Sequence, residues 1–211
     1  MDNEETLGMM VGNLLGQFER VDVVPEIDAY RYAKWAGTTG VDGSTGSIVV
    51  GTTDVAALID AAEASMDDNE VPYEGRILYV SPTVYQVLKG NIERRIINSE
   101  DNVNTNIEFY DDMRIIRVPQ ARFQTAITLQ APTATDGAGG YVSAGENIHF
   151  MIVHPSAILQ VVKHNVPRLF SPAQNIEADA YRLNYRIYHD TFVLANKVKG
   201  IYVYADPTST S

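Results

Sequence analysis

Apolar residues in the first 36 positions recur at helical spacing. The first set consists of Leu7, Met10, Val11, Leu14, Leu15 and Phe18. Intervals of three and four residues place such a set along one side of a helix, so we predict an amphipathic helix here. Pro25 suits the first turn of a second helix, which we expect to continue to Ala36 with Trp35 in the core. Gly37 is expected to end this second helix.

Residues 37–53 are small, polar and rich in glycine, and they predict a loop or a boundary between lobes. This stretch does not fit a phosphate-binding loop, because no Lys followed by Ser or Thr comes after its last glycine. Thr53 or Asp54 is expected to cap a third helix. The apolar positions of that helix repeat at helical spacing as far as Met66.

Short apolar segments predict strands in the middle of the chain. Residues 76–80 form one such segment, and a helix over Ser81–Lys89 is expected to follow, since Ser and Pro are favoured at its first two positions. Residues 107–110 and 113–118 flank the dipeptide Asp111-Asp112 and predict a hairpin closed at an acidic turn.

The following segments are less regular. Residues 131–146 predict an exposed loop, and residues 148–153 predict a buried strand. Residues 157–162 fit either a short helix or a strand, because their periodicity does not distinguish the two.

Near the carboxyl end, apolar residues alternate with Arg182, Asn184 and Arg186. Alternation of this kind predicts a strand with one apolar face and one basic face. We expect the strand to continue to Leu194 and to return over Val198–Tyr204, which would make a large antiparallel hairpin.

The charge of the chain limits its partners. The formal net charge is −11, which argues against sequence-independent binding of nucleic acid. Residues 1–28 carry seven acids and one Arg, whereas residues 149–202 carry six Lys or Arg and three acids. This opposite bias fits either solvated faces or complementarity between neighbouring copies, and the sequence leaves both readings open.

Sequence motifs for chemistry are missing. The chain has no cysteine, which excludes disulfides and thiolate metal sites. Its four histidines form no zinc-binding motif, and its serines form no Gly-x-Ser-x-Gly nucleophile elbow. We therefore expect no catalytic, cofactor-binding or metal-binding residues. The acidic start does not fit a signal peptide, and no apolar run reaches membrane-spanning length.

Three blocks of the sequence resemble the major capsid proteins of tailed phages, especially those of phages and prophages of Gram-positive bacteria. The blocks are Val23–Ala36, His154–His164 and Asp179–Tyr204, and they occur in the same order as in that family. Several such blocks in order are more specific than any one of them.

The resemblance implies an α+β architecture, the HK97-like fold. A peripheral domain with a long spine helix and long antiparallel strands is expected over residues 1–52 and 153–211. An axial domain with a central sheet and flanking helices is expected over residues 53–152. Members of this family usually carry an N-terminal arm and an extended loop before the spine helix. The chain begins at that helix, which favours a truncated polypeptide and leaves open whether it assembles or stays monomeric.

The function implied by the resemblance is structural. The protein would be a non-enzymatic subunit of an icosahedral capsid, located in the virion after synthesis in the bacterial cytoplasm. Its partners would be copies of itself in hexamers and pentamers, with a scaffold, a portal and a maturation protease as further candidates, and with no membrane or specific nucleic-acid binding. Candidate subunit-contact residues are Glu4, Glu5, Arg20, Asp22, Arg182, Asn184 and Arg186.

Three alternatives remain at this point. A bacterial nanocompartment shell of the encapsulin type shares the fold. A small-molecule or sugar-binding module would place Trp35 and the tyrosines around a concave aromatic pocket. A hydrolase would bring two carboxylates with shifted pKa values face to face.

Overall fold

The computed structural model describes residues 2–91, 109–131, 140–171, 173–177 and 181–208. The helices are α1 (Asp2–Phe18), α2 (Val24–Ala36), α3 (Val55–Asp68) and α4 (Pro82–Asn91). The strands are β1 (Asp42–Thr45), β2 (Ile77–Val80), β3 (Phe109–Tyr110), β4 (Met113–Arg117), β5 (Ile127–Gln130), β6 (Gly140–Ser143), β7 (Ile148–Val153), β8 (Ile158–Phe170), β9 (Arg182–Val193) and β10 (Ile201–Ala205). This mixture of helices and sheets confirms the α+β class.

Helices α1 and α2 form one continuous helix. They are joined by a π-helical turn, Glu19–Val23, and the backbone on both sides of the turn keeps helical dihedral angles. The prediction of two separate helices is therefore wrong. Pro25 removes one backbone donor, and the chain accommodates this with a turn in which the N–H of Val24 reaches the carbonyl of Glu19, five residues back.

A six-stranded mixed sheet has the order β1-β10-β7-β2-β4-β3. Strand β7 lies in its middle and is antiparallel to both neighbours, β10 and β2. Five of the six β7 residues are buried, because helices cover both faces of the sheet at this point. The predicted buried strand over 148–153 is confirmed.

The two faces of this sheet are packed by different helices. On one face, α3 and α4 contribute Ile59 and Leu88 to a core that also contains Phe150. On the opposite face, α2 contributes Tyr32 and Trp35, which pack near alternate residues of β7 and β10. The C-terminal half of the long helix is thus anchored on the sheet. Trp35 is 3% exposed, as expected for a core residue.

Strands β8 and β9 form a separate two-stranded antiparallel ribbon. The register runs from Ile158 opposite Val193 to Phe170 opposite Arg182, with a bulge between Val162 and His164. Segment 157–162, which the sequence left open, is therefore mainly strand.

The predicted hairpin over Tyr181–Tyr204 is wrong. Strand β9 pairs with β8, and β10 pairs with β1 and β7 in the six-stranded sheet. A 3₁₀ turn over Ala195–Gly200 takes the chain from the ribbon into that sheet. Sequence alternation identified strand β9 but not its partner, because amphipathic strands have similar patterns whichever strand they pair with.

Two predicted loops contain strands. Strand β1 lies within residues 37–53, where Gly43 is required because a Cβ there would lie 2.4 Å from the carbonyl oxygen of Val203. Strand β6 lies within residues 131–146 and pairs with β5, while residues 132–139 are outside the described residues. Short edge strands made of small and polar residues carry little hydrophobic signal, which is why they read as loops.

Two local predictions are confirmed. The side chain of Asp54 caps α3 by accepting hydrogen bonds from the backbone N–H groups of Ala56 and Ala57. The hairpin β3–β4 turns at Asp111-Asp112, and both residues have positive φ angles, 41° and 62°. Two such residues are typical of a tight two-residue hairpin turn. Ile107, part of the predicted first strand, lies outside the described residues.

The ribbon is attached to the long helix through side chains of α2. The indole N–H of Trp35 donates to the hydroxyl of Thr191 at 2.8 Å, and Thr191 is fully buried. The hydroxyl of Tyr30 and the ammonium of Lys34 both donate to Asp190, at 3.0 and 2.5 Å. The base of the ribbon is therefore fixed by three hydrogen bonds.

We predict that Thr191→Val destabilises the protein by about 1–3 kcal/mol, because it leaves the buried indole N–H of Trp35 without an acceptor. Urea unfolding followed by tryptophan fluorescence measures this difference. Thr128→Val, at an exposed position of β5, is the matched control and is expected to change stability by less than about 0.5 kcal/mol. Equal effects of the two substitutions would contradict the role assigned to this hydrogen bond.

Candidate interaction surface

The first half of the long helix carries exposed apolar side chains. Met10, Leu14 and Val21 are 64%, 59% and 60% exposed, and their spacing places them along one side of the helix. Phe18 is 39% exposed and contacts the ring of Tyr185 on β9, with ring centres 5.8 Å apart. We call Met10, Leu14 and Val21 the apolar stripe. Contiguous exposed apolar residues of this kind mark interaction surfaces.

The ribbon has two unlike faces. In β9, residues 183, 185, 187 and 189 are partly buried, whereas residues 182, 184, 186 and 188 are exposed. Tyr185 and His189 on the first face contact the long helix, through the rings of Phe18 and Tyr30. The alternation predicted for this strand is confirmed, and its basic side faces away from the helix.

The register of the ribbon adds a third arginine to this side. Asn184 lies opposite Arg168 of β8, and Arg186 lies opposite Val166. Opposite residues of an antiparallel pair share a face, so Arg168, Arg182 and Arg186 lie on one side of the ribbon. We call these three arginines and Asn184 the basic face. All four residues are exposed.

Contacts within the basic face hold its side chains in place. Arg182 donates to Glu177 at 2.7 Å and to Asn184 at 3.1 Å. Arg186 donates to the hydroxyl of Tyr188, and its guanidinium lies over the tyrosine ring, 4.7 Å from the ring centre. Such partly ordered arginines lose less conformational entropy when they bind a carboxylate.

The predicted contact residues fall into two groups. Arg182, Asn184 and Arg186 are brought together on the basic face. Arg20 and Asp22 are exposed in the π turn of the long helix, and Glu4 and Glu5 lie in the first turns of α1, before the part of that helix whose side chains are described. Sequence reasoning missed Arg168, because it became part of this face only through the register of β8 against β9.

The ion pair at the base of the ribbon is solvent-accessible. The hydrogen bond from Lys34 lowers the pKa of Asp190, and the same bond raises the pKa of Lys34. Because the two side chains are 35% and 39% exposed, solvent screens their attraction. This pair orients the ribbon more than it stabilises the fold.

Metal ligation finds no support in the part of the chain that the structure describes. No group of three or more histidine or acidic residues there is placed to hold a metal ion. His149 contacts Asp206 at 2.9 Å, and His154 contacts Ser156 at 2.7 Å, both as hydrogen-bonded pairs. Across the same residues, no helix is both long and apolar enough to cross a membrane.

The small-molecule or sugar-binding alternative requires an aromatic pocket, and the candidate is a small cavity beside Trp35. Its volume is about 270 Å³, and its lining includes Tyr79, Val153 and Ile158. Ligand sites usually enclose about 300–1,000 Å³, so this cavity is smaller than the usual range. The indole N–H of Trp35, the natural polar handle, is already bonded to Thr191. The cavity is a gap between the sheet and the ribbon.

The hydrolase alternative requires carboxylates with shifted pKa values, and the candidates for these are acidic residues of α3. The pKa of Glu63 is raised to about 7, mainly by burial and in addition by the negative charge of Asp111, while Arg76 acts in the opposite direction. Asp60 in the same group accepts a hydrogen bond from Tyr110 at 2.6 Å. The open groove beside α3 is lined by residues such as Val50, Thr53 and Gln86, and Glu63 is not part of it. The raised pKa therefore has a structural explanation without a cleft.

Comparisons with known proteins give a clear answer for the fold alone. No protein-family model matches the chain, and no curated protein matches its sequence. A chain from Mycobacterium phage Che8 has a TM-score of 0.58 over 86% of this chain, with 15% identity. A chain from the capsid structure of the cyanophage P-SCSP1u has a TM-score of 0.55 over 99% of this chain, with 18% identity. A chain from Mycobacterium phage Ogopogo has a TM-score of 0.50 over 97% of this chain, with 14% identity.

These likenesses define the class of fold. The protein has an α+β fold that occurs in a phage capsid structure, which confirms at the level of fold the resemblance predicted from its sequence. The chain spans 58% of the Che8 chain and 67% of the cyanophage chain.

We predict that Glu63→Gln stabilises the protein at pH 8 and has little effect at pH 4. The pKa of Glu63 is higher in the folded protein than its usual value of 4.5, so the wild type loses stability as the pH rises from about 4.5 to about 7. Gln carries no charge and avoids this loss. Thermal unfolding at both pH values measures the difference, with Asp68→Asn on the exposed side of α3 as the control. A stabilisation that is equal at pH 4 and pH 8 would contradict this assignment.

Proposed function

We propose that this protein is the major capsid protein of a tailed phage or prophage, a structural subunit that tiles an icosahedral shell. The observation that carries the proposal is the match to a chain of the cyanophage P-SCSP1u capsid, which extends over 99% of this chain. The resembling structures come from phages, and this favours a viral shell over a bacterial nanocompartment. At 18% identity the fold is the evidence, and the function follows from it as an inference.

The surface of the protein supports this role. The apolar stripe and exposed residues of the ribbon, including Leu159, Tyr188 and Phe192, leave large apolar areas in contact with water. Subunits of a shell bury such areas against their neighbours, which offsets the cost of leaving them exposed in the isolated chain. A net charge of −11 helps to keep unassembled subunits apart in solution.

The domains can be assigned on the HK97-like plan. The ribbon and the first half of the long helix correspond to the peripheral domain, and the six-stranded sheet with α3 and α4 corresponds to the axial domain. This assignment moves β1 and β10 into the axial domain, because both pair within its sheet. The peripheral domain proposed in this way is narrower than the expected ranges 1–52 and 153–211.

The role we propose is carried by contacts between subunits and involves no catalysis. Copies of the chain would form hexamers and pentamers, and a scaffold, a portal and a maturation protease are further partners proposed by analogy with the family. Synthesis in the host cytoplasm and incorporation into the virion follow from the same proposal.

Electron microscopy and light scattering of the protein expressed from its complete gene test this function. We expect closed particles of uniform diameter. A protein that stays monomeric at every concentration and ionic strength would contradict the proposal and favour the search for a ligand.

We also predict that the double substitution Met10→Gln and Leu14→Gln reduces the yield of particles severalfold without lowering the thermal unfolding temperature. Both side chains are largely exposed, so their loss removes contact area between copies and little of the core. Asn13→Gln, an exposed polar position on the same helix, is the matched control. Unchanged particle yield in the double variant would show that the apolar stripe lies outside the contacts.

A further inference from the structure

We propose that the basic face of one copy binds the acidic first half of the long helix of a second copy, with the apolar stripe at the centre of the contact. This inference rests on the proposed function and identifies which two surfaces meet. It assigns a partner to the exposed arginines of the ribbon and to the exposed side of the helix.

Charge complementarity selects the second copy as the partner. The first half of the long helix, residues 2–23, carries five acids and one Arg, a net charge of −4. Strands β8 and β9 together carry Lys163, Arg168, Arg182 and Arg186 against Asp190, and Asp190 is already bonded to Lys34. Arginine binds carboxylates through paired hydrogen bonds, so the arginines on this side of the ribbon suit the acids of the helix, and Arg182 would share its bond to Glu177 with them.

The acids of the helix cannot meet this face within the same copy. The long helix contacts the ribbon through the opposite side of β9, as the rings of Phe18 with Tyr185 and Tyr30 with His189 show. The basic face points away from those contacts. A helix that binds there must therefore come from another molecule.

The dimensions and apolar content of the two surfaces also agree. The helix from Glu4 to Asp22 is about 27 Å long at about 1.5 Å per residue, and β9 is about 40 Å long at about 3.3 Å per residue. Tyr188 and Phe192 on the ribbon are 48% and 47% exposed, and they offer apolar contacts for the stripe. A contact with an apolar centre and charged surroundings is typical of protein interfaces.

The contact is heterologous, because the two surfaces are different. Each copy donates its helix to one neighbour and its ribbon to another. Such contacts continue from copy to copy and close into rings when the rotation between copies allows it.

Disulfide trapping tests the contact directly, because these 211 residues contain no cysteine. Gln17→Cys lies beside the apolar stripe, and Asn184→Cys lies on the basic face; both positions are exposed. Mixed under mild oxidation, the two variants are expected to give severalfold more heterodimer than either variant gives homodimer. Tyr73→Cys, exposed on the six-stranded part of the protein, replaces Gln17→Cys in the control mixture.

Charge reversal provides a second test. The ribbon variant Arg182→Glu with Arg186→Glu and the helix variant Glu5→Lys with Asp22→Lys are each expected to lose about tenfold or more in self-association. A mixture of the two variants restores association, because each reversed surface then meets its complement. If the substitutions merely destabilised each variant, mixing the two variants would not restore association.

The outcomes separate this inference from the proposed function. Shells without excess heterodimer and without rescue in the mixture would overturn the contact and leave the capsid function standing. Excess heterodimer together with rescue supports the contact, and microscopy of the same samples reports separately whether shells form. Association of the basic face with DNA instead, unaffected by the helix variant, would also overturn the proposal.

Discussion

The attachment of the ribbon to α2 is the contact on which the shape of the molecule depends. A two-stranded ribbon is only marginally stable alone, and strands β8 and β9 have no third strand beside them within the described residues. Trp35 links the ribbon to the core, because its indole ring packs on the six-stranded sheet while its N–H binds Thr191. Tyr30 and Lys34 extend the attachment to Asp190. These few hydrogen bonds fix the base of the ribbon to α2, while the side of the ribbon that faces away from the helix stays exposed to solvent.

In the remainder of the fold, the well-packed core and the exposed apolar surfaces lie in different parts of the molecule. The six-stranded sheet is covered by helices on both faces, so its two cores are buried within a single chain. Residues 10–23 of the long helix are partly buried on one side and exposed on the other, and the same holds for the ribbon. The molecule thus consists of a packed sheet domain and two extended elements, the long helix and the ribbon. These two elements carry most of the large exposed apolar side chains. This division suits a subunit that folds first and associates afterwards.

Local structure was predictable from the sequence to a greater degree than topology. Helical spacing identified α3, and its cap at Asp54 followed from residue type. Alternation identified β9 together with its exposed arginines. The partner of β9 was missed because the choice between β8 and β10 depends on long-range packing, which neighbouring residues do not encode. For the same reason Arg168 was absent from the predicted surface, and the join at Pro25 was read as a break in the helix when the chain instead inserts a π turn.

The position of β10 has a consequence for how the protein is made. This strand consists of residues 201–205, near the end of the chain, and it lies between β7 and β1 in the sheet. Strand β1 therefore pairs with a strand that is synthesised about 160 positions later. Contacts so distant in sequence form slowly. The sheet can therefore be completed only after the ribbon strands β8 and β9, which precede β10 in the sequence, have been synthesised.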